Sequence, residues 1–229
     1  MKGSITLMYH DVFLSSPMES GFKTNSSKIY KLHVDDFEEQ VSKISNYCEQ
    51  HRILKRNVLF SFDDGGSSNL YVIAPILEKY DLRGLFFITS DRINTDGFLD
   101  DKQIQELDKR GHIIGAHSHS HPINMKALSD DVLFQEWSTS CAILEHILNK
   151  PITLASIPGG SASNRVFEIM GKCGIREIYT SFPGIGANKY HGISIYYRYA
   201  IKKKMPTSYV LSIITSRSTR NQILVKNIF

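Results

Sequence analysis

Cysteine is scarce in this sequence. Only three occur among 229 residues, and Cys48, Cys141 and Cys173 are too widely spaced to form a Cys-x-x-Cys pair. A zinc site made of thiolates is therefore not expected, and a metal bound by this chain must rely on nitrogen and oxygen ligands. Each cysteine lies among apolar neighbours in a segment with helical periodicity, so we predict that all three are core residues.

Long apolar runs are also missing. No stretch approaches the ~20 apolar residues that a membrane-spanning helix needs. The apolar run at residues 5–8 is interrupted by Tyr9, His10 and Asp11 before it reaches the length of a signal-peptide core, about 7–15 residues. We therefore predict a cytoplasmic protein without a transmembrane segment.

Concentrated positive charge is the third feature that the sequence lacks. Its 27 Lys and Arg against 23 Asp and Glu give a formal net charge of +4, and the tightest basic run is only Lys202-Lys203-Lys204. A nucleic-acid-binding surface would need a basic stripe interleaved with aromatic side chains. We predict no nucleic-acid partner, and the sequence leaves the oligomeric state open.

Short apolar runs alternate with amphipathic segments along the whole chain, which predicts an α/β fold. Predicted strands lie at residues 5–8, 58–62, 85–89, 112–116, 153–157, 177–180 and 193–197. Continuous apolar runs of this kind are typical of parallel strands covered on both faces, as in barrels. Because no repeat or linker divides the chain, we predict one domain over residues 1–229.

Helices are predicted by apolar residues at helical spacing, together with capping signals. One begins at Asp36, one contains Ile104 and Leu107, one begins after Ser129, and one covers residues 166–173. Residues 15–31 are rich in Ser, Gly and Lys without clear periodicity, so we expect a long surface loop that could reach over a site.

Two adjacent carboxylates, Asp63 and Asp64, follow the predicted strand at residues 58–62. Barrels of the α/β class keep their active sites at the carboxyl ends of their strands. Neighbouring residues of a strand point to opposite sides, so one carboxylate can bind a metal while the other stays free. The alternative interpretation is that Asp-Asp-Gly-Gly is a turn that merely closes a strand.

Three histidines, His117, His119 and His121, follow the predicted strand at residues 112–116. Neutral imidazole is the commonest protein ligand for zinc and similar ions, and a catalytic metal site needs only three protein ligands. Spacing does not decide which histidines bind: a continued strand would put all three on one face, whereas a turn after His117 would bring back only His121.

These two segments resemble the motifs of the polysaccharide deacetylases, the NodB-homology domains of carbohydrate esterase family four. Ser61-Phe62-Asp63-Asp64-Gly65 is similar to the first family motif, Thr-Phe-Asp-Asp-Gly, and His117-Ser118-His119-Ser120-His121 is similar to the second, His-Ser/Thr-x-x-His. The resemblance implies a distorted (β/α) barrel of about seven strands. It makes Asp63 the catalytic base, makes Asp64, His117 and His121 the ligands of a metal, usually zinc, and leaves His119 outside the ligand set.

The third family motif, Arg-x-Pro-x-Gly, is matched by residues 156–160 with one departure: Ser156 stands where the arginine belongs. That arginine would orient the base, so we consider Arg198 as its replacement and also as a substrate-binding residue, together with Pro158 and Gly159. A backbone N–H of this turn is a candidate to stabilise the oxyanion.

Two C-terminal family motifs, which contribute an aspartate and a histidine, are missing from this chain. A circularly permuted subgroup, typified by deacetylases of poly-N-acetylglucosamine, carries its last histidine in an N-terminal Tyr-His-Asp sequence, which Tyr9-His10-Asp11 resembles. The resemblance makes His10 the candidate general acid; a structural histidine bonded to a loop is the alternative, and His191 is a weaker substitute.

The sequence therefore predicts a metal-dependent hydrolase that removes N-acetyl groups from a sugar or polysaccharide, with Zn²⁺ as the expected ion and Co²⁺ or Ni²⁺ as alternatives. The short N-terminal apolar run favours a cytosolic or lipid-carried acetylated sugar as substrate. Two other functions remain open: a catalytically silent carbohydrate-binding barrel, and an amidohydrolase of small non-sugar amides.

Overall fold

The structure, a computed structural model, describes residues 4–216. Its centre is one sheet containing nine strands: β1 (Ile5–Tyr9), β4 (Val58–Phe62), β5 (Gly84–Ile88), β6 (Ile113–Ala116), β7 (Leu154–Ser156), β8 (Glu177–Tyr179), β9 (Ala187–Tyr190), β10 (Ile193–Tyr196) and β11 (Tyr199–Ala200). Two further strands, β2 (Val12–Phe13) and β3 (Leu32–His33), form a separate parallel pair.

The order of strands in the large sheet is β11-β1-β4-β5-β6-β7-β8-β10-β9. All neighbours run parallel except β9, which is antiparallel to β10. Only Tyr197 and Arg198 connect β10 to β11, although these strands lie near opposite ends of that order. The sheet must therefore curl until its two sides approach each other, which gives a distorted barrel and agrees with the predicted α/β class.

Each of the seven predicted strands corresponds to a strand of the curled sheet, and no end differs by more than one residue. Side chains alternate along each strand between the inside of the barrel and the outer face beneath the helices. On β5, Leu85 and Phe87 pack with Tyr179 and Tyr196 in a small inner cluster, whereas Phe86 and Ile88 belong to the large outer core beneath the helices.

Six α-helices are present among the described residues: α1 (Val34–Gln50), α2 (Ala74–Lys79), α3 (Asp101–Lys109), α4 (Asp130–Leu148), α5 (Asn164–Lys172) and α6 (Thr207–Thr215). The prediction that α1 begins at Asp36 is wrong. The helix begins at Val34 because the His33 side chain accepts a hydrogen bond from the backbone N–H of Asp35. Ser129 caps α4 as predicted, and its side chain accepts from the N–H of Val132.

The three cysteines lie in helical segments as free thiols: Cys48 and Cys141 are buried and Cys173 is partly buried. No helix within residues 4–216 has both the length and the apolar character that crossing a bilayer requires. The cytoplasmic location and the single-domain boundary at residues 1–229 stay predictions, the latter because its two ends lie outside the described residues.

Candidate metal and catalytic site

Asp63 and Asp64 lie at the carboxyl end of β4, between the ends of β1 and β5. The backbone N–H of Asp63 donates to Tyr9 O (3.1 Å), and the N–H of Thr89 donates to Asp64 O (3.3 Å). Asp64 has a φ of +80°, an uncommon value for a residue with a side chain. The backbone thus turns sharply at Asp64, and the two carboxylates face different neighbours.

The histidine segment turns at once after β6. The N–H of His117 still donates to Ile88 O (2.9 Å), but Ser118 (φ +59°) and His121 (φ +61°) leave the extended conformation. The N–H of His121 donates to Ser118 Oγ (3.1 Å), which closes the turn. Of the two arrangements that the spacing left open, the structure has the turn that brings back His121.

Asp64, His117 and His121 form a compact group whose ligand atoms all lie within 4.8 Å of one another. Asp64 Oδ1 is 3.5 Å from His117 Nε2 and 3.4 Å from His121 Nε2. This oxygen is buried, with Asp64 only 4% exposed, and it has no hydrogen-bond partner among residues 4–216. A buried carboxylate oxygen without a donor, facing two imidazole nitrogens, fits a divalent cation.

Charges within this group act on its own ionisation. Burial by itself would raise the pKa of the Asp64 carboxyl, but His117 and His121 hold that pKa well below its usual range. Burial likewise would lower the pKa of His121, yet the Asp64 carboxylate raises it overall. The group therefore keeps a carboxylate anion in a place from which water is largely excluded.

Ser156 orients the ring of His117. His117 Nδ1 lies 2.6 Å from Ser156 Oγ and 3.0 Å from the carbonyl oxygen of the same residue. Ser156 Oγ donates to Asp63 Oδ1 (3.1 Å), so Nδ1 of His117 must carry the proton that is donated to Ser156. In the neutral ring Nε2 is then the unprotonated nitrogen, the one that can act as a metal ligand, and it lies 3.5 Å from Asp64 Oδ1.

Asp63 forms an ion pair with Arg198 that is buried and bidentate. Arg198 Nη1 donates to Asp63 Oδ1 (2.7 Å) and Nη2 donates to Oδ2 (2.8 Å), while Nε donates to Thr180 O (2.9 Å). Arg198 is fully buried, and it is not among the residues that line the adjacent cavity. This position suits a residue that orients Asp63 better than one that contacts a substrate.

The ion pair also keeps Asp63 charged. Burial would raise the pKa of its carboxyl, but the charge and hydrogen bonds of Arg198, together with the neighbouring histidines, outweigh burial and lower the pKa below the usual value. The guanidinium that the third family motif provides from the end of β7 is provided here from the connection between β10 and β11. The small side chain of Ser156 contacts Asp63 from the β7 side.

A cavity of about 510 Å³ opens beside these carboxylates, and His10, Asp63, Asp64, His117 and His121 all line it. The His10 ring stacks on Tyr30 with 4.4 Å between ring centroids. His10 Nδ1 is buried and has no hydrogen-bond partner among residues 4–216, so no loop contact accounts for this nitrogen. The general-acid role that the resemblance to the permuted subgroup implies for His10 stays a prediction.

Gly159 and Gly160 also line the cavity, whereas Pro158 is buried behind them. Gly159 has a φ of +60°, and a Cβ atom at this position would lie 2.4 Å from Ile123 O. Glycine is therefore required where this turn approaches the opposite loop.

The other two candidate histidines lie outside the group. His119 Nδ1 is 2.9 Å from Ser90 Oγ, so this ring is directed away from Asp64. His191 is exposed in the turn before β10, at the end of the barrel opposite to the carboxyl ends of the parallel strands. The structure therefore brings together Asp64, His117 and His121, with Asp63 and His10 beside them, and leaves His119 and His191 apart.

Several residues at the site were not identified from the sequence. Glu136 of α4 accepts hydrogen bonds from the backbone N–H groups of His119 (3.1 Å) and Ser120 (2.9 Å), and so anchors the histidine turn. The loop at residues 15–31 does reach over the site, as expected, and contributes Phe22 and Tyr30 to the cavity wall. Arg92 also lines the cavity; its position just past β5 is the one signal that could have indicated it.

Comparison with known proteins assigns the class. The family model described as polysaccharide deacetylase matches residues 51–178, more than half of the 229 residues. The chain belongs to this family. The matched region includes both carboxylates, the three clustered histidines and Ser156, whereas His10 and Arg198 lie outside it.

Particular relatives extend the similarity beyond that region. The chain is 22% identical to YxkH of Bacillus subtilis (strain 168), which is provisionally named a polysaccharide deacetylase, over 88% of this chain and 72% of YxkH. It is 26% identical to the peptidoglycan-N-acetylglucosamine deacetylase PgdA of Listeria monocytogenes, over 51% of this chain but only 24% of PgdA. The solved structure of the Streptococcus pyogenes deacetylase PplD in complex with acetate has the same fold, with a TM-score of 0.76 and 24% identity over 93% of this chain and 98% of PplD.

Proposed function

We propose that this protein is a metal-dependent hydrolase that removes N-acetyl groups from an acetylated saccharide. The observation that carries the proposal is the different surroundings of two adjacent carboxylates. Asp64 faces two imidazole nitrogens and has an oxygen without a hydrogen-bond donor among the described residues, whereas Asp63 is held by Arg198. Family membership supports the same chemistry.

Asp64, His117 and His121 would hold the metal. Two imidazoles and one carboxylate, without sulfur, form a ligand set that suits Zn²⁺, and Co²⁺ or Ni²⁺ are alternatives. When bound, the ion supplies Lewis acidity that makes water easier to deprotonate and the acetyl carbonyl easier to attack.

Asp63 acts as the base and accepts a proton from the attacking water. Arg198 and Ser156 are positioning residues: their hydrogen bonds hold the Asp63 carboxylate in one orientation toward the cavity. A backbone N–H in the turn formed by Pro158, Gly159 and Gly160 donates to the developing oxyanion.

His10 donates a proton to the nitrogen of the departing sugar amine. Its ring lies in the cavity wall and is held by Tyr30, while its Nδ1 has no partner among the described residues. Attack of one water molecule on the acetyl carbonyl and cleavage of the C–N bond then yield acetate and an amino sugar.

Two measurements on the purified protein test this proposal: metal content, and acetate release from N-acetylglucosamine oligomers, from a lipid-linked acetylated sugar and from small amides. Metal-dependent release of acetate from one of the two saccharides supports the proposal. Which saccharide is hydrolysed distinguishes a polymer from a lipid-carried substrate. Faster hydrolysis of the small amides would identify an amidohydrolase instead. Saccharide binding without acetate release by the metal-loaded protein would identify a silent binding barrel.

A further inference from the structure

The cavity beside the proposed metal ligands has two aromatic walls, and each aromatic ring contacts a cation. The Phe22 ring centroid lies 5.0 Å from that of His121, and Arg92 Cζ is 5.6 Å from the Phe22 centroid. On the other side, Tyr30 stacks on His10, and Lys202 Nζ is 5.6 Å from the Tyr30 centroid. The proposed deacetylation uses neither cation.

We propose that Arg92, resting on Phe22, binds an anionic substituent of the saccharide, a carboxylate or a phosphate next to the acetylated sugar. The proposal rests on the proposed function in one respect, namely that a saccharide occupies this cavity. A guanidinium offers planar, paired donors to a carboxylate or phosphate, and such charge-assisted hydrogen bonds are stronger than those between neutral groups.

The backbone holds Arg92 at the edge of the cavity. Arg92 follows β5 at its carboxyl end, and its N–H donates to Thr89 O (3.1 Å). Its own carbonyl oxygen accepts from the N–H of Thr95 (3.0 Å) and from Thr95 Oγ1 (2.6 Å). The side chain therefore extends from a fixed point on the same edge of the sheet as Asp64 and His117.

The guanidinium of Arg92 has donors available for a ligand. Nε is buried and has no hydrogen-bond partner among residues 4–216, and it lies 3.2 Å from Asp91 Oδ1 in an ion pair that offsets part of the charge. The side chain nevertheless lines the cavity and is partly exposed. By contrast, Lys23 of the neighbouring loop is engaged with Asp96 at 2.5 Å.

Geometry favours Arg92 over Lys202 as the anion-binding residue. Arg92 lines the cavity and its side chain is 42% exposed, whereas Lys202 is not among the residues that line the cavity. The two distances from the Phe22 centroid place the Arg92 guanidinium within about 11 Å of the His121 ring. A saccharide whose acetyl group lies near His121 can therefore extend its adjacent substituent to Arg92.

Equilibrium binding tests the proposal without depending on turnover. The wild-type protein is titrated calorimetrically with cellotetraose, which has no acetyl group to hydrolyse, and with the same tetrasaccharide carrying 6-carboxylates or 6-phosphates. We expect at least one charged probe to bind about tenfold more tightly than the neutral one, with a preference that weakens as salt is added. The two charged probes show which anion the site prefers.

Arg92→Gln should remove this preference, and Arg92→Lys should keep part of it because a lysine retains the charge without the planar donors. Arg83→Gln is the matched control: Arg83 precedes the amino end of β5, at the opposite end of the same strand, and its Nη1 donates to Leu82 O (2.9 Å). This variant should bind all three probes as the wild type does.

Four results would overturn the proposal: equal affinity of the wild type for neutral and charged probes, an unchanged preference in Arg92→Gln, an equal loss in Arg83→Gln, or no binding of any probe. Acetate release by the wild type is measured separately. Release of acetate without an anion preference removes only this inference, whereas a preference that depends on Arg92 without acetate release removes only the deacetylase proposal.

Discussion

Two halves of the site use adjacent carboxylates in opposite ways. In the ligand half, formed by Asp64, His117 and His121, a buried carboxylate oxygen has no hydrogen-bond donor within the part of the chain that the structure describes. In the base half, formed by Asp63, Arg198 and Ser156, both carboxylate oxygens accept hydrogen bonds. The ligand half is therefore arranged to receive a cation, whereas the base half already contains its cation as a side chain.

The difference shows how one strand end can place two carboxylates in different surroundings. Asp63 and Asp64 meet different neighbours although they adjoin in the chain, because the backbone turns sharply at Asp64, whose φ is +80°. Both carboxyls have pKa values below their usual range, for different reasons: Arg198 lowers that of Asp63, and two histidines lower that of Asp64. Single substitutions in each half should therefore have different effects on bound metal and on kcat.

The largest effect on bound metal and on acetate release is expected when one residue of the ligand half is replaced. Asp64→Ala or His117→Ala should reduce bound metal from about one ion per chain to background, because two remaining ligands are too few for a catalytic site. Acetate release should then become undetectable. Metal analysis and the acetate assay measure both effects.

His119→Ala serves as the matched control, because the ring of His119 contacts Ser90 Oγ instead of Asp64. It should keep its metal. If His119→Ala lost the ion as completely as His117→Ala does, the assignment of ligands within the histidine turn would be wrong.

Asp63→Asn should lower kcat without changing the amount of bound metal, which is the clearest distinction between the two halves. The amide is similar in size but cannot accept the proton of the attacking water, so kcat should fall by about 10²–10⁴-fold. Bound metal should stay at the wild-type amount because Asp64 and both histidines are intact. An Asp63→Asn enzyme with normal kcat would exclude Asp63 as the base.

Replacement of Arg198 tests whether the base half is stabilised by its own cation. Arg198→Met leaves the Asp63 carboxylate buried and unpaired, and the free energy of unfolding should fall by about 3–5 kcal/mol. Urea denaturation measures this change. The folded variant should still bind metal, because Arg198 contacts Asp63 and none of the proposed ligands.

Arg198→Lys provides the comparison for that variant. It retains the charge but loses the bidentate geometry, so it should recover part of the stability and less of the kcat. Equal kcat in Arg198→Lys and the wild type would show that the orientation of Asp63 does not depend on paired hydrogen bonds.

The smallest effect is expected from Glu136, which acts on the ligand half only through the backbone of the histidine turn. Glu136→Gln weakens the acceptor for these N–H groups, and metal affinity should fall by about tenfold. Asp131→Asn, an exposed substitution on the same helix, should leave the metal affinity unchanged. Competition with a chelator of known affinity measures both variants, and equal affinities would remove Glu136 from this role.

Much of the fold could be predicted from local patterns. The buried parallel strands are continuous apolar runs, and Ser129 before an apolar periodic segment correctly indicated the start of α4. Helix α2 was not predicted: it continues a π-helical turn, Asn69–Ile73, and its own six residues are too few to show helical periodicity. Helix α6 was missed because β-branched residues dominate it; Val210 and Ile214 are buried in the core, so tertiary packing outweighs weak helix propensity.

Short and irregular pieces escaped prediction for a related reason. Strands β2, β3 and β11 contain two residues each, too few for any periodicity to be recognised. Strand β9 is largely exposed and polar, and it exists because β10 offers it an antiparallel edge.

The candidate site likewise has a part that local sequence patterns predict and a part that only the tertiary structure shows. The meeting of the carboxylates and histidines could be predicted from two short motifs because each follows a buried strand, and the carboxyl ends of parallel strands meet at one edge of the sheet. The choice of His117 and His121 over His119 came from the family resemblance. The contact of Arg198 with Asp63 joins residues 135 positions apart, and only the curling of the sheet brings them together. The same holds for the walls of the cavity, where Phe22 and Tyr30 come from the loop at residues 15–31 and Arg92 comes from the segment after β5. Local sequence patterns specify which residues end a strand, whereas contacts across the barrel depend on how the whole chain packs.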